Sequence, residues 1–217
     1  MPGTPHVVSD VMTHTVVAVG RDAPFKDIVR LMEQWKVSAL PVLEGEGRVV
    51  GVVSEADLLP KEEFRDSDPD RYAQLQHLSD LAKADAVTAG ELMTAPAITV
   101  HPGSTLAQAA RIMAQRKVKR LPVVNDEGML EGVISRADLL KVFLRPDNDI
   151  ADEVRRDIVD VLFPAPVEPV HVIVTEGVVT LTGKIRDSAL IPVAVRLARA
   201  VEGVVDVDCH LSGTDAD

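Results

Sequence analysis

The stretch GVVSEADLL, at Gly51–Leu59, returns as GVISRADLL at Gly132–Leu140, which is 81 residues further along the chain. The same offset aligns the two copies without a gap, at roughly 40% identity over about fifty residues. Further aligned pairs are Val11–Thr13 with Leu92–Thr94, Lys36–Val37 with Lys117–Val118, and Leu40–Val42 with Leu121–Val123. Such self-similarity indicates a duplicated unit whose copies bury their faces against each other, so we expect the two to form one module.

Each copy is predicted to fold in the order strand, helix, strand, strand, helix. Asp22 and Ser104 are expected to cap the two long helices, and a short helix is expected to begin at Ser54 and again at Ser135. Trp35 falls on the apolar stripe of the first long helix and is expected in the core. The predicted strands are Val16–Val19, Ala39–Leu43 and Val49–Val53, then Ala97–Val100, Arg120–Val124 and Leu130–Ile134.

The pattern changes after about Arg145. Apolar residues at helical spacing come first, then two alternating strands around the turn Glu176-Gly177, a second helix, and an alternating strand that ends at Leu211. We therefore predict an α/β (α+β) protein with a small helix-strand-strand-helix-strand unit after the repeat. The expected domains are the first copy at 6–60, a polar, partly helical insertion without chemistry of its own at 61–87, the second copy at 88–145, and the tail unit at 148–212.

Composition narrows the class of protein. The formal net charge is −11, which disfavours nucleic-acid binding through a broad electrostatic footprint. One cysteine suits a reducing compartment, and the first residues do not resemble a signal peptide, so we expect a cytoplasmic protein. No nucleophile with a neighbouring base and no set of cysteines and histidines with metal-ligand spacing is visible, so we expect neither an enzyme nor a metal centre.

The repeated Ser-x-x-Asp admits two interpretations. It is typical of a capping box, in which the Ser and Asp side chains satisfy free amides at a helix start. The same geometry also suits a ligand, because a helix start attracts anions and a carboxylate can accept hydrogen bonds from two vicinal hydroxyls. An anion site beside a diol acceptor fits a ribose phosphate, as in dinucleotide sites. The pattern alone leaves both interpretations open.

The repeat resembles a tandem pair of cystathionine-β-synthase (CBS) domains. Four features carry the resemblance: the repeated order of elements, the Met-Thr near each start, the Leu-Pro-Val strands and the Gly-x-x-Ser-x-x-Asp endings. The resemblance implies a disc-like pair that dimerises and has clefts for AMP, ADP, ATP or S-adenosylmethionine as regulatory ligands, with no required cofactor. It implies that the signature acids hold ribose, that the signature serines meet phosphate, and that main chain nearby frames the base. The implied residues are Asp57, Asp138, Ser54 and Ser135, with Val16, Val37, Ser38, Ala39, Ala97, Val118, Lys119 and Arg120 around the base.

The tail resembles a BON domain. Three stretches carry the resemblance: the Val-Thr-Leu-Thr-Gly run at Val179–Gly183, the apolar helix before it, and the run from Val201 to Val207. That family implies a role in docking to the envelope or to phospholipid. We expect a regulatory protein that senses an adenosyl ligand and transmits binding to an output or docking domain, with a protein or phospholipid partner. The alternative is a scaffold or envelope-docking protein whose CBS pair has no small-molecule ligand.

Charges distinguish the two copies. Where the first copy has Glu55, the second has Arg136, and Lys119 and Arg120 replace Ser38 and Ala39. Because arginine forms paired, charge-assisted hydrogen bonds with phosphate, we expect one strong phosphate-dependent cleft and one weak or empty cleft.

The last strand carries polar residues on one of its faces, namely Asp206, Asp208 and His210. We interpret them as the solvated face of an edge strand rather than as metal ligands.

Overall fold

The computed structural model describes residues 6–63 and 78–213. The described residues fall into two units, which we treat separately: Val7–Arg136, and the residues from Ala137 onward with His6. Among them, no helix combines the length and apolar character needed to cross a bilayer.

The first unit contains the first copy of the repeat and the second copy as far as Arg136. Its strands are β1 (Val19–Gly20), β2 (Ala39–Glu44), β3 (Arg48–Ser54), β4 (Arg120–Val124) and β5 (Leu130–Ser135). Its helices, among the described residues, are Val8–Val11, Phe25–Trp35, Glu55–Leu58, Pro60–Glu63, Leu78–Asp85, Ala89–Leu92 and Leu106–Arg116. The predicted order of elements is confirmed in the first copy.

The two hairpins have matching registers, as a duplication requires. In the β2–β3 hairpin Leu40 pairs with Val53, and in the β4–β5 hairpin Leu121 pairs with Ile134. Each ladder also shifts register near its end, at Val42/Leu43 and at Val123/Val124. All four paired residues are fully buried, because each hairpin presents one apolar face to the core.

The opening strands are shorter than predicted. β1 is confined to Val19–Gly20 and runs parallel to β2, and in the second copy Val100 alone forms a parallel bridge, to Val123. Ala97 and Ile98 stay outside the sheet and line a cavity instead. These apolar residues therefore belong to the cavity wall. A run of apolar residues in the sequence does not distinguish a cavity wall from a buried strand.

Two predicted caps and one predicted core residue are wrong. The first long helix begins after Pro24 without a side-chain cap, and the second begins after Thr105, one residue beyond Ser104. Thr105 rather than Ser104 caps this helix, because Thr105 and Gln108 form a reciprocal pair of hydrogen bonds. The Gln108 amide donates to Thr105 Oγ1 at 3.2 Å, and the Thr105 amide donates to Gln108 Oε1 at 2.9 Å. Trp35 is 51% exposed, because it is the last residue of its helix and the buried stripe ends before it.

The repeated glycine has a packing reason. A Cβ on Gly51 would lie 2.4 Å from Met93 Sδ, and one on Gly132 would lie 2.7 Å from Met12 Sδ. Each copy's methionine, from its Met-Thr pair, therefore packs on the other copy's glycine. Backbone bridges also join the two copies. One links Val52 of the first copy to Thr94 of the second, and another links Thr13 of the first copy to Val133 of the second. The recurring Gly and Met-Thr hold the two copies together.

The second unit follows the predicted order of helix, strand, strand, helix and strand. Its sheet has the order β6 (Glu168–Thr175), β7 (Val178–Ile185) and β8 (Asp206–Gly213), with β6–β7 antiparallel and β7–β8 parallel. Its helices are Arg136–Leu140, Asp147–Val154 and Asp160–Leu162, joined by a π-helical turn at Arg155–Val159, and Ile191–Arg199, with 3₁₀ turns at Lys141–Leu144 and Ser188–Leu190. The buried core includes Ile150, Val154, Ile158, Val179, Leu181, Ile185, Ala194, Ala198 and Val207.

The hairpin turn of this unit is stabilised by helix Asp147–Val154. Glu176 and Gly177 both have positive φ, at 50° and 73°, as tight hairpin turns require. Their amides donate to the carboxylate of Asp147 at 2.8 Å and 2.9 Å. Cys209 packs against the core as a small apolar residue.

Candidate functional site

The first signature acid does form a cap. Asp57 Oδ2 accepts hydrogen bonds from the Ser54 amide at 2.7 Å and from the Ser54 hydroxyl at 2.6 Å. Asp57 is only 7% exposed, and burying its polar oxygens without such donors would cost free energy. Its other oxygen, Oδ1, accepts from Thr94 Oγ1 at 3.3 Å and from the ammonium of Lys83. The capping interpretation therefore accounts for one carboxylate oxygen and leaves the other facing different partners.

A cavity of about 280 Å³ lies beside this acid. Its volume is close to the ~300 Å³ lower bound of small-molecule sites. It is built from four segments: the end of β3 with the turn of helix after it, the start of β2, the segment after Met93, and the loop that enters β4. The lining residues are Ser38, Ala39, Val52, Ser54, Glu55, Ala56, Asp57, Thr94, Pro96, Ala97, Ile98, Lys117, Val118, Lys119 and Arg120.

Eight of the thirteen sequence-predicted residues line this cavity: Ser38, Ala39, Ser54, Asp57, Ala97, Val118, Lys119 and Arg120. Val37 lines an adjoining cavity of about 400 Å³, which shares Ser38, Glu55 and Arg120 with the first. The remaining four, Val16, Ser135, Arg136 and Asp138, line neither cavity.

The four residues outside these cavities have ordinary local positions. Val16 is half-buried in the segment before β1, Ser135 ends β5, and Arg136 is exposed at the start of the next helix. Asp138 is buried, and its Oδ1 accepts from Lys141 Nζ at 2.7 Å. The second signature acid is thus also held by donors, one of them a lysine three residues away.

Cations from the second copy meet the signature of the first. Arg120 donates to Ser38 Oγ at 2.8 Å and to the Ala39 carbonyl oxygen at 3.4 Å, so its guanidinium is held at one side of the cavity. Lys117 and Lys119 are exposed, and their ammonium groups form no polar contact with the described part of the chain. The cavity therefore combines a carboxylate from one copy with three cations from the other.

The helix start contributes less to anion binding than its pattern predicts. Helix Glu55–Leu58 is a single turn, and a dipole this short is weak. Its first amide, that of Glu55, already donates to the Ser38 carbonyl oxygen at 3.1 Å. The Glu55 side chain also adds a negative charge to the lining. Positive charge in the cavity comes instead from the loop before β4.

Two contacts of the signature acid, Thr94 and Lys83, were not predicted from the sequence. Thr94 belongs to the repeated Met-Thr, and that repetition was a signal that could have identified it. Lys83 carries no such signal, because it lies in the segment between the copies, to which the sequence assigned no chemistry. That segment is helical at Leu78–Asp85, while its residues 64–77 lie outside the described residues. The other unpredicted lining residues are Val52, Glu55, Ala56, Pro96, Ile98 and Lys117.

The polar residues of β8 behave as a solvated edge. Asp206 is exposed and pairs with Arg199 at 3.2 Å, and Asp208 and His210 are exposed as well. Across residues 6–63 and 78–213, no group of three or more metal-ligating side chains comes together.

The fold and the cavity define a pair of CBS domains followed by a different small domain. The CBS domain model matches residues 8–61 and 89–145, and the BON domain model matches residues 146–214. The chain therefore belongs to the CBS-domain family and carries a C-terminal BON domain, as both resemblances predicted.

Individual relatives cover the CBS pair. The Methanocaldococcus jannaschii protein MJ1426 is 30% identical over 154 residues, which are 64% of this chain and 91% of that protein. The chloroplastic CBS domain-containing protein CBSX2 of Arabidopsis thaliana is 30% identical over 155 residues, which are 64% of each chain.

Solved structures agree on the fold. The crystal structure of CBSX2 in complex with AMP matches with a TM-score of 0.57 and 30% identity, over 64% of this chain and 97% of that chain. The CBS domain pair of protein MJ0100, in complex with 5′-methylthioadenosine and S-adenosyl-L-methionine, matches with a TM-score of 0.50 over 64% of this chain and 97% of that chain. Its identity is 18%, so that second likeness concerns the fold alone.

Proposed function

We propose that this protein is a non-catalytic regulator whose CBS pair binds an adenine nucleotide in the cavity beside Asp57. The observation that carries the proposal is the meeting of a buried diol acceptor with Lys119 and Arg120 in one cavity of ligand size. The relative CBSX2, which is 30% identical, was crystallised with AMP, and this supports the same class of ligand here. S-Adenosylmethionine is the other adenosyl ligand that the cavity has to be tested against.

The lining suggests a role for each part of the nucleotide. The ribose hydroxyls would donate to Asp57, as vicinal diols do to acids in dinucleotide sites. The phosphate would accept hydrogen bonds from Arg120 and Lys119, which supply charge-assisted donors. The base would lie against the apolar part of the wall, which consists of Val52, Ala56, Pro96, Ala97, Ile98 and Val118.

The charge balance favours a nucleotide with few phosphates. Glu55 lines both cavities, and its carboxylate would repel a phosphate chain bound beside it. Each added phosphate would bring more negative charge toward Glu55 without a further arginine from the lining. We therefore propose AMP ahead of ADP and ATP.

A second, weaker site is proposed at the second signature. Its residues would be Ser135 and Arg136, with Val16 near the base. The two cations that the sequence assigned to the second copy's phosphate, Lys119 and Arg120, line the cavity of the first signature acid. The strong, phosphate-dependent site is therefore proposed at Asp57, which leaves Arg136 to the weak one.

The BON domain is proposed as an output or docking domain with a protein partner. Residues 146–214 contain twelve Asp and Glu against six Lys and Arg. Anionic membrane surfaces attract basic segments at about 1 kcal/mol per cation, so this balance argues against docking to anionic phospholipid. Homodimerisation through the CBS pair and a cytoplasmic location complete the proposal.

Titration calorimetry with AMP, ADP, ATP and S-adenosylmethionine tests the function, with a thermal shift as an independent readout. At about 100 times its dissociation constant, a ligand should stabilise the fold by about 2.7 kcal/mol. AMP should bind most tightly. No heat and no shift with any of the four would contradict ligand sensing and favour a scaffold. Co-sedimentation with anionic and neutral vesicles tests the docking alternative, and binding to either would count against a protein-only partner.

A further inference from the structure

The carboxylate of Asp57 has no acceptor position left. A carboxylate offers about four lone-pair positions on its two oxygens. Oδ2 accepts from the amide and the hydroxyl of Ser54, and Oδ1 accepts from the Thr94 hydroxyl and the Lys83 ammonium. Two ribose hydroxyls therefore cannot donate to this acid unless at least one present donor leaves.

Lys83 is the donor that can leave at least cost. The Ser54 bonds span three residues and close the cap of helix Glu55–Leu58, so losing them would unwind that turn. Thr94 is held in place by backbone bonds in both directions with Val52, at 2.9 Å and 3.1 Å. Lys83 reaches Asp57 from 26 residues away on a flexible four-carbon stem, and water solvates a released ammonium well.

The Lys83–Asp57 pair is nevertheless more than a surface contact. The two side chains are only 21% and 10% exposed, so solvent screens the pair less than it screens an exposed one. Lys83 Nζ also lies 3.4 Å from Thr94 Oγ1, at the edge of the cavity. The pair closes the ribose acceptor with a cation that comes from the segment between the two copies.

We infer that Lys83 and the ribose of an adenosyl ligand compete for Oδ1 of Asp57, so that binding of the ligand displaces Lys83. The inference rests on the proposed function and adds an internal competitor to it. It also supplies a route for the signal, because Lys83 lies on helix Leu78–Asp85 and attaches that helix to Asp57. Lys61 Nζ contacts the same helix by donating to the Ala84 carbonyl oxygen at 2.7 Å. Ligand binding therefore loosens helix Leu78–Asp85.

Adenosine is the sharpest probe, because it has the ribose and the base but no phosphate for other cations to bind. Lys83→Met keeps the length of the side chain and removes the ammonium. If the pair is closed in roughly 70–90% of molecules, removing it should tighten adenosine binding about three- to tenfold. AMP should tighten by a similar factor. Lys26→Met is the matched control, because Lys26 is exposed and has no polar contact with the described residues, and its adenosine affinity should equal the parent's.

The outcomes separate this inference from the proposed function. Parent protein that binds AMP, with a Lys83→Met variant that binds adenosine equally or more weakly, overturns the competition and leaves the nucleotide site standing. Weaker binding would mean that Lys83 contacts the ligand. If neither adenosine nor AMP binds to the parent, to Lys83→Met or to Lys26→Met, the proposed function and the inference are both overturned. Binding by Lys83→Met alone supports both.

Hydrogen exchange supplies a readout that does not depend on affinity. Saturating AMP should increase amide exchange in helix Leu78–Asp85 of the parent protein, because the helix loses the contact between Lys83 and Asp57. In Lys83→Met the exchange should already be high and should not change with AMP. Protection of this helix by AMP in the parent would contradict displacement of Lys83.

Discussion

Asp57 serves as a cap and is proposed as a ribose acceptor, and two substitutions distinguish these roles. Asp57→Asn keeps one carbonyl oxygen that can accept from the Ser54 amide, but it removes the negative charge. Asp57→Ala removes every acceptor and leaves the Ser54 amide without its 2.7 Å partner. Asp57→Asn thus removes the charge and keeps an acceptor for the cap, whereas Asp57→Ala removes both.

The stability change follows from the cap alone. Asp57 is the third residue of its helix and accepts from the amide of the N-cap residue Ser54, so Asp57→Ala leaves that donor unpaired and should reduce the free energy of unfolding by about 1–3 kcal/mol. Asp57→Asn should cost about 1 kcal/mol or less, because its amide oxygen can still accept from the Ser54 amide. Neither loss approaches the ~5–15 kcal/mol of a typical domain, so both variants should remain folded.

The binding change is larger. Hydrogen bonds to a charged group contribute about 1.5–3 kcal/mol, which corresponds to roughly ten- to a hundredfold in affinity. Asp57→Asn loses the charge that a ribose would meet, but it also weakens the attachment of Lys83, its competitor. The net loss in adenosine affinity should therefore be nearer tenfold than a hundredfold.

Urea unfolding and titration calorimetry with adenosine measure the two quantities on the same samples. Asp10→Asn is the control, because Asp10 Oδ2 accepts from the Val7 amide at 2.8 Å with the same three-residue spacing and lines neither cavity. It should lose comparable stability and keep full affinity. If Asp57→Asn binds adenosine as tightly as the parent, the ribose role is refuted and capping alone explains the repeated acid.

Three further outcomes are expected. Gly51→Ala should lower the free energy of unfolding by about 1–3 kcal/mol in urea unfolding, because the new methyl group would overlap Met93; an unchanged stability would contradict that packing. Arg120→Ala should weaken AMP about tenfold in calorimetry while adenosine changes less than about twofold, and equal losses for both would exclude a phosphate role. Hydrogen bonds from the Val87 and Thr88 amides hold the pKa of Glu91 below its usual 4.5. Charged Glu91 therefore stabilises the fold above about pH 4.5, and the stability that Glu91→Gln loses near pH 7 should vanish as the pH falls below that value; a difference that persists would contradict the assignment.

The sequence by itself determined the features that depend on local pattern. The repeat at an offset of 81 residues predicted two equivalent hairpins, and Leu40–Val53 and Leu121–Ile134 pair in the same register. The three-residue spacing of Ser54 and Asp57 predicted a cap, and the resemblance to CBS domains made the same residues candidate ligand contacts. The order of elements in the BON domain followed from alternation and helical spacing. Such features are readable because neighbours along the chain set them.

Only the tertiary structure decided which distant residues meet. It brought Arg120 of the second copy to Ser38 of the first, and so assigned the second copy's cations to the first copy's acid. It brought Lys83 to Asp57, and it left Trp35 exposed at the end of a helix whose pattern predicted burial. No periodicity encodes such pairs, because they depend on how two duplicated faces pack together. The composition of the site follows from that packing, since Asp57, Lys83 beside it and the proposed phosphate-binding cations come from three separate segments.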